Sequence, residues 1–346
     1  MSGMRWRSVV TALAALAGWA GPAAAAVYAV HELPTVLPRP DNDWWATARD
    51  IDQDGHVLAT VEVVKNNQVF SAGELCSLDD CRHLSKHTHS TDWRAMNPQG
   101  DTAGTVWSDG VAYASRRIAG QGVALLQRGN AYDINASGVI VGATLKVRPF
   151  VYDTALRYLP TPGGTQGRAY GINDQGMVVG QLYVAATGDS HAFIYRDGVT
   201  TDLAANAPEF RNSMALGVNN AGIVVGCANT RAGEPTVAAV WREGRVAYLG
   251  ALVAGTRGGA CATAINESGQ HVVGVSDVDP LDATRRHGFV HDRSAMRDLN
   301  DLLRPEDAGR YEIREPGAIN DRGQIAATAV RLADHQYVAV RLDPVE

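Results

Sequence analysis

The chain has 346 residues, 45% of them hydrophobic, with 31 Lys and Arg against 37 Asp and Glu for a net charge of −6. That acidic balance excludes nucleic acid as a natural partner, because affinity for it comes mainly from basic side chains that release counterions. Apart from one short stretch at the amino end there is no long apolar run, so no membrane span is expected.

Arg5 and Arg7 precede an apolar run from Ser8 to Ala20, followed by Gly21-Pro22 and four alanines. A short basic segment, an apolar core and small residues at a cut site read as a secretory signal over residues 1–26. The mature chain, residues 27–346, then keeps 29 basic residues against 37 acidic ones, a net charge of −8. It is expected in the periplasm or outside the cell, as a monomer.

Next comes "VYAVHELPT", Val27 to Thr35, a strand pattern ending in Glu32-Leu33. Beyond it one turn recurs seven times: Asp52 to Gly55, Asn97 to Gly100, Asn135 to Gly138, Asn173 to Gly176, Asn219 to Gly222, Asn266 to Gly269 and Asn320 to Gly323. An Asn or Asp side chain bonds backbone groups two residues on, and Gly adopts the left-handed conformation that closes a hairpin. Each turn joins a short strand such as "RAYGI" to an apolar one such as "MVVGQLYV". A third strand follows, as in "HAFIYRDG", and a fourth ends in x-Leu, as in Asp202-Leu203 and Asp298-Leu299. Four short strands in roughly 40 residues make a propeller blade. After the seventh turn the chain is one strand short, and Val27 to Thr35 supplies it. The expected fold is therefore all-β, a seven-bladed β-propeller over residues 27–346 whose N-terminal strand completes the last blade.

"INDQGMVVG" followed by His191-Ala192-Phe193 resembles the bacterial extracellular repeats called the HAF family, over essentially the whole mature chain. The resemblance implies an exported repeat protein and assigns no chemistry. Phe150, Phe193 and Phe289 are expected to pack between neighbouring blades.

Four cysteines in an exported chain point to disulfides with three possible connectivities. Cys76 and Cys81 flank a hairpin-sized loop. Cys227 and Cys261 lie five residues from equivalent turns of adjacent repeats, which favours pairs 76 with 81 and 227 with 261, with free buried thiols the alternative for the second pair.

The opening of "DIDQDG", Asp50 to Gly55, matches a calcium loop, but the twelfth position is Val61 and six aligned turns lack the acids, so a plain hairpin is expected. His83, His87 and His89 form the only cluster of metal-ligand type, read as an exposed loop. No Gly-x-Ser-x-Gly elbow, His-Glu-x-x-His or nucleotide-binding loop occurs, so no catalytic residue, metal or cofactor is assigned.

Length variation falls in the links from second to third strands and from fourth strands to the next blade, which share one face. Function usually sits in variable loops on a rigid scaffold. On that face Trp44 and Trp45 with Asp41 and Asp43 suit sugar stacking, while Arg168, Arg211 and Arg257 suit an anion clamp. The expected function is a non-catalytic exported module that binds a protein or glycan. The alternative is an exported hydrolase or lyase acting on a polysaccharide or peptide, marked by carboxylate, His or Tyr side chains converging on the axis. A metal-handling role would rest on the three-histidine loop.

Overall fold

The computed structural model describes residues 26–36, 44–84, 90–162, 166–204, 211–229, 235–253, 259–279, 281–282 and 284–345. The secretory signal, Asp41, Asp43, His87, His89 and Arg257 lie outside the described residues. Within them the chain is all-β, interrupted by a 3-10 turn at Leu299–Leu302 and one helical turn, α1, at Pro305–Ala308.

After β1 (Val27–Glu32) the strands come in groups, each pairing antiparallel in chain order. The first is β2 (Trp44–Ile51), β3 (Val57–Lys65), β4 (Gln68–Cys76) and β5 (Cys81–His83). The second is β6 (Ser90–Met96), β7 (Thr102–Ser108), β8 (Val111–Ile118) and β9 (Gly122–Ile134). β9 runs on without a break: its first half pairs with β8, and its second half opens a third group with β10 (Ile140–Thr144), β11 (Pro149–Tyr152) and β12 (Leu156–Tyr158). The fourth is β13 (Gln166–Ile172), β14 (Val178–Val184), β15 (Asp189–Arg196) and β16 (Val199–Asp202). The fifth is β17 (Asn212–Val218), β18 (Val224–Asn229), β19 (Val237–Arg242) and β20 (Arg245–Gly250). The sixth is β21 (Ala260–Ile265), β22 (Val272–Asp277), β23 (Arg286–His291) and β24 (Met296–Asp298). β25 (Tyr311–Ile319), β26 (Ile325–Arg331) and β27 (Gln336–Val345) end the chain. β1 lies antiparallel against β27, from Val27 opposite Val345 to Glu32 opposite Val340.

The first strands of successive groups pack on one another: β2 on β6, β6 on β9, β9 on β13, β13 on β17, β17 on β21, β21 on β25, and β25 back on β2. The recurrent asparagines explain this packing. In each such turn the Asn Oδ1 accepts backbone N–H groups of its own hairpin, as Asn173 does from Met177 at 2.9 Å. Its Nδ2 reaches across to the next turn: Asn97 donates to Asn135 O at 3.4 Å, Asn135 to Asn173 O at 3.1 Å, Asn173 to Asn219 O at 3.0 Å and Asn219 to Asn266 O at 3.2 Å. Asn320 closes the sequence-distant gap by donating to Asp52 O at 2.9 Å. The ladder breaks at Asn266, whose Nδ2 has no hydrogen-bond partner, and it ends at Asp52, which carries no amide to donate. Turn chemistry alone accounts for the Oδ1 half of this pattern; the Nδ2 half joins groups to one another.

The apolar core sits between groups. Phe150, Phe193 and Phe289 are fully buried. Phe193 packs with Val141 and Val151 of the third group and Ala169, Ile172 and Val178 of the fourth. It lies opposite Gly180, where a Cβ would come within 2.7 Å of the ring, so the glycine of "MVVG" makes room for the phenylalanine of "HAF". The other HAF residue, His191, sets its Nδ1 2.7 Å from Asp202 Oδ2, and His287 does the same with Asp298 at 2.6 Å. The strand-four x-Leu signature thus supplies a partner for the strand-three histidine. In the third group Arg148 and Tyr158 replace the pair, with the guanidinium 4.0 Å above the ring centroid.

Both disulfides form as spacing favours, Cys76 with Cys81 and Cys227 with Cys261, the latter tying β18 to β21. They use all four cysteines.

Candidate functional site

Every first strand carries a β-bulge three residues before its turn, which leaves one residue unpaired against the neighbouring strand. The bulged residues are Arg49, Arg94, Tyr132, Tyr170, Leu216, Thr263 and Gly317, all partly accessible. Alternate residues of the same strands, such as Ala131, Ala169, Ala215 and Ala262, are buried between groups. The bulged residues therefore face the space that the first strands enclose. A bulge re-aims a side chain, and bulges concentrate beside functional sites.

Four consecutive strands carry polar or aromatic residues there, and these touch in series. Arg49 on β2 pairs with Asp92 on β6 at 3.2 Å, and Asp92 also holds Arg94 at 2.9 Å. The Arg94 guanidinium lies 5.3 Å from the centroid of the Tyr132 ring on β9. Tyr132 in turn meets Tyr170 on β13, with centroids 5.1 Å apart and planes at 54°. Arg168, exposed and two residues before Tyr170, brings its positive charge near the Tyr132 hydroxyl, which opposes the effect of burial there. Burial pushes the Tyr132 phenol above its ordinary value, reinforced by Tyr170, so the hydroxyl stays neutral at physiological pH. The strip brings three guanidinium groups together against one carboxylate, in a chain whose net charge is −6. At the same level β17 and β21 offer Leu216 and Thr263, with Met214 and the Cys261 half of the Cys227–Cys261 bond two residues earlier.

One residue nearer the turns are two further carboxylates. Asp50 accepts N–H groups from Ile51 and Met96, both at 2.8 Å, and Asp133 accepts from Ile134 and Ile172, both at 2.8 Å. Each therefore pins its neighbouring group through a backbone amide. Dense packing around them outweighs those bonds: desolvation pushes Asp50 up to about 6, and desolvation with a smaller contribution from the Asp50 charge pushes Asp133 up to about 7.

The residues singled out from sequence are placed differently from one another. Trp44 is 5% exposed and packs in the core with Ala46 and Val61, and its carbonyl accepts from Gln336 Nε2. Its ring is therefore not open for stacking. Trp45 is half-buried, and its indole N–H donates to Glu62. Arg168 joins the strip just described. Arg211 precedes β17 and turns to Asp189 at 3.5 Å, an exposed ion pair. His83 lies beside the fully buried Glu74, 3.6 Å away, and serves that carboxylate. Asp52, Asp54 and His56 offer ligand atoms within 4.8 Å of one another beside a cavity of about 390 Å³, at the calcium-like "DIDQDG". Asp52 answers His56 of its own hairpin at 2.8 Å, and Asp54 answers Arg322 of the seventh turn at 3.0 Å, so these side chains already have partners.

Arg49, Arg94, Tyr132 and Tyr170 were not anticipated. Their signal was present, since each stands three places before the Asn or Asp of its turn, and that column of the repeat is large and polar in repeats one to four only.

No family model matches the chain, and no curated protein does either. Among solved structures it is similar to TolB from Acinetobacter baumannii, at 10% identity over 74% of this chain and 82% of that one, with a TM-score of 0.43. It is also similar to a protein of unknown function from Dyadobacter fermentans, at 10% identity over 92% and 99% of the two chains, with a TM-score of 0.40. Likenesses this distant say nothing of ligand, activity or compartment. Among the described residues no helix is long and apolar enough to cross a membrane.

Proposed function

We propose that the chain is an exported, non-catalytic binding module of the HAF-repeat type, a seven-bladed β-propeller closed by β1, that recognises a protein or glycan at its ring of first strands. One observation carries this reading: Arg49, Asp92, Arg94, Tyr132 and Tyr170 form an unbroken series of contacts across the first strands of four successive groups, all but Asp92 at bulge positions that aim inward, with Arg168 beside the Tyr132 end. The excess of guanidinium groups selects a ligand with a negative charge, held by forked hydrogen bonds. Export is supported by four cysteines that are all paired, which suits an oxidising compartment.

The test is an array of peptides and glycans screened with the wild-type mature protein and with the Tyr132→Ala, Arg168→Ala double variant. A saturable binder weakened at least about tenfold in a variant of unchanged melting temperature supports the strip, since loss of tenfold is about 1.4 kcal/mol. A binder indifferent to the double substitution moves the site elsewhere.

Asp50 and Asp133 favour a second reading, the exported hydrolase or lyase, because carboxyls raised toward neutrality are the material of acid–base catalysis. Each of their oxygens already accepts a backbone N–H, which supports the non-catalytic reading over this one. Turnover of any polysaccharide or peptide that Asp133→Asn abolishes without loss of binding would reverse that preference.

A further inference from the structure

We infer that the ligand of the first-strand site is a peptide carboxy-terminus whose last residue is apolar. The inference rests on the binding reading above and names its ligand class. The basic half of the ring supplies the carboxylate clamp. Arg94 is fixed on two sides, by Asp92 at 2.9 Å and by the Tyr132 ring at 5.3 Å, so little side-chain freedom remains to be lost on binding. Arg168 is exposed and lies near a neutral phenol; no described carboxylate pairs with it. Arg49 keeps a buried Nε without a hydrogen-bond partner. A planar carboxylate with two oxygens matches such forked donors, and the orientation is set by geometry as well as charge.

The other half of the ring selects among carboxylates. Next to Arg168 and onward round the ring, β17 and β21 present Leu216, Met214 and the Cys227–Cys261 sulfur bridge, with Thr263 as the polar exception on these two strands. A sugar acid carries hydroxyl groups around its whole rim, and those facing Leu216 and Met214 would lose water without gaining partners, which is costly for each group. A terminal amino acid instead diverges at its Cα, with the carboxylate on one side and the side chain on the other. That divergence matches a basic side of the ring that adjoins an apolar one, and the Tyr132–Tyr170 pair lies beside the clamp to cover the last residue's flank.

The experiment is fluorescence anisotropy on the full mature protein with N-terminally labelled heptapeptides. One set ends in Leu or Phe as free acids, the same sequences end in carboxamides, and a third set ends in Lys or Asp; labelled trigalacturonate is run beside them. Saturable binding of the apolar free acids is expected, weaker by at least about tenfold for the carboxamides and for Arg168→Gln at unchanged melting temperature. Leu216→Asn should shift the preference away from Leu and Phe while leaving the acid-over-amide difference in place. Equal binding of acids and amides overturns the inference. So does trigalacturonate binding that Arg168→Gln abolishes while the peptides fail, and in that case the site reading survives with a different ligand. Silence from every probe also overturns it, and the array experiment then judges the site by itself.

Discussion

Asp133 uses both carboxylate oxygens to hold backbone N–H groups, one in its own strand and one in the next group, and it does so where surrounding protein penalises its charge. Its proton is held more tightly in the folded chain, up to about 7, than in the unfolded chain, where the carboxyl has an ordinary value near 3.8. Stability from this group is therefore complete below about pH 4 and is lost as pH rises through about 7. Asp50, pushed up to about 6, acts in the same direction. Asp133→Asn is expected to lower stability most near pH 4, because one acceptor becomes a donor, with a difference from wild type that shrinks toward pH 7 and so flattens the fall. Urea titrations across that range check it; an unchanged slope would mean that the carboxyl titrates in the ordinary range.

At the scale of the element, the four-strand group is held by pairs that cross its strands. The ring of Phe193 fills the space above Gly180, and His191 meets Asp202. Phe193→Ala empties a site that touches two groups, and a loss of about 3 to 5 kcal/mol is expected in chemical denaturation. A loss under about 1 kcal/mol would contradict the inter-group packing. The strand order and the turns were legible in the chain, because a hairpin is a local object whose register follows from its turn, whereas the partners of Phe193 and His191 came only with the pairing of the strands. The run of β9 through two groups was not legible either. Pairing passes from β8 to β10 between Arg128 and Gly129, where the glycine takes a φ of 144°, but a lone glycine does not announce such a passage, which is decided by which strand edge lies alongside.

For the whole molecule, the joining of the two ends matters most. Tyr28, Ala29, Val30 and Leu33 are buried, and β1 pairs along its full length with β27. Removing residues 27–35 from the mature chain strips that pairing and exposes the face of β27, and a fall in Tm of at least about 5 °C is expected in calorimetry. An unchanged Tm would refute the role of β1 in closing the last group.

The sequence by itself determined the β class, the seven turns and the terminal strand that pairs with β27, and it favoured the disulfide partners that form. Each of these depends on residues a few places apart, or on equal offsets within a repeat. The inward-facing strip was decided only by the tertiary structure. Arg49, Asp92, Arg94, Tyr132 and Arg168 belong to four different repeats, and whether they touch depends on how the first strands pack and where their bulges turn the side chains. Trp44 shows the same limit from the other side: beside Trp45 in sequence it looks like a binding pair, yet alternation along β2 sends it into the core while Trp45 faces away.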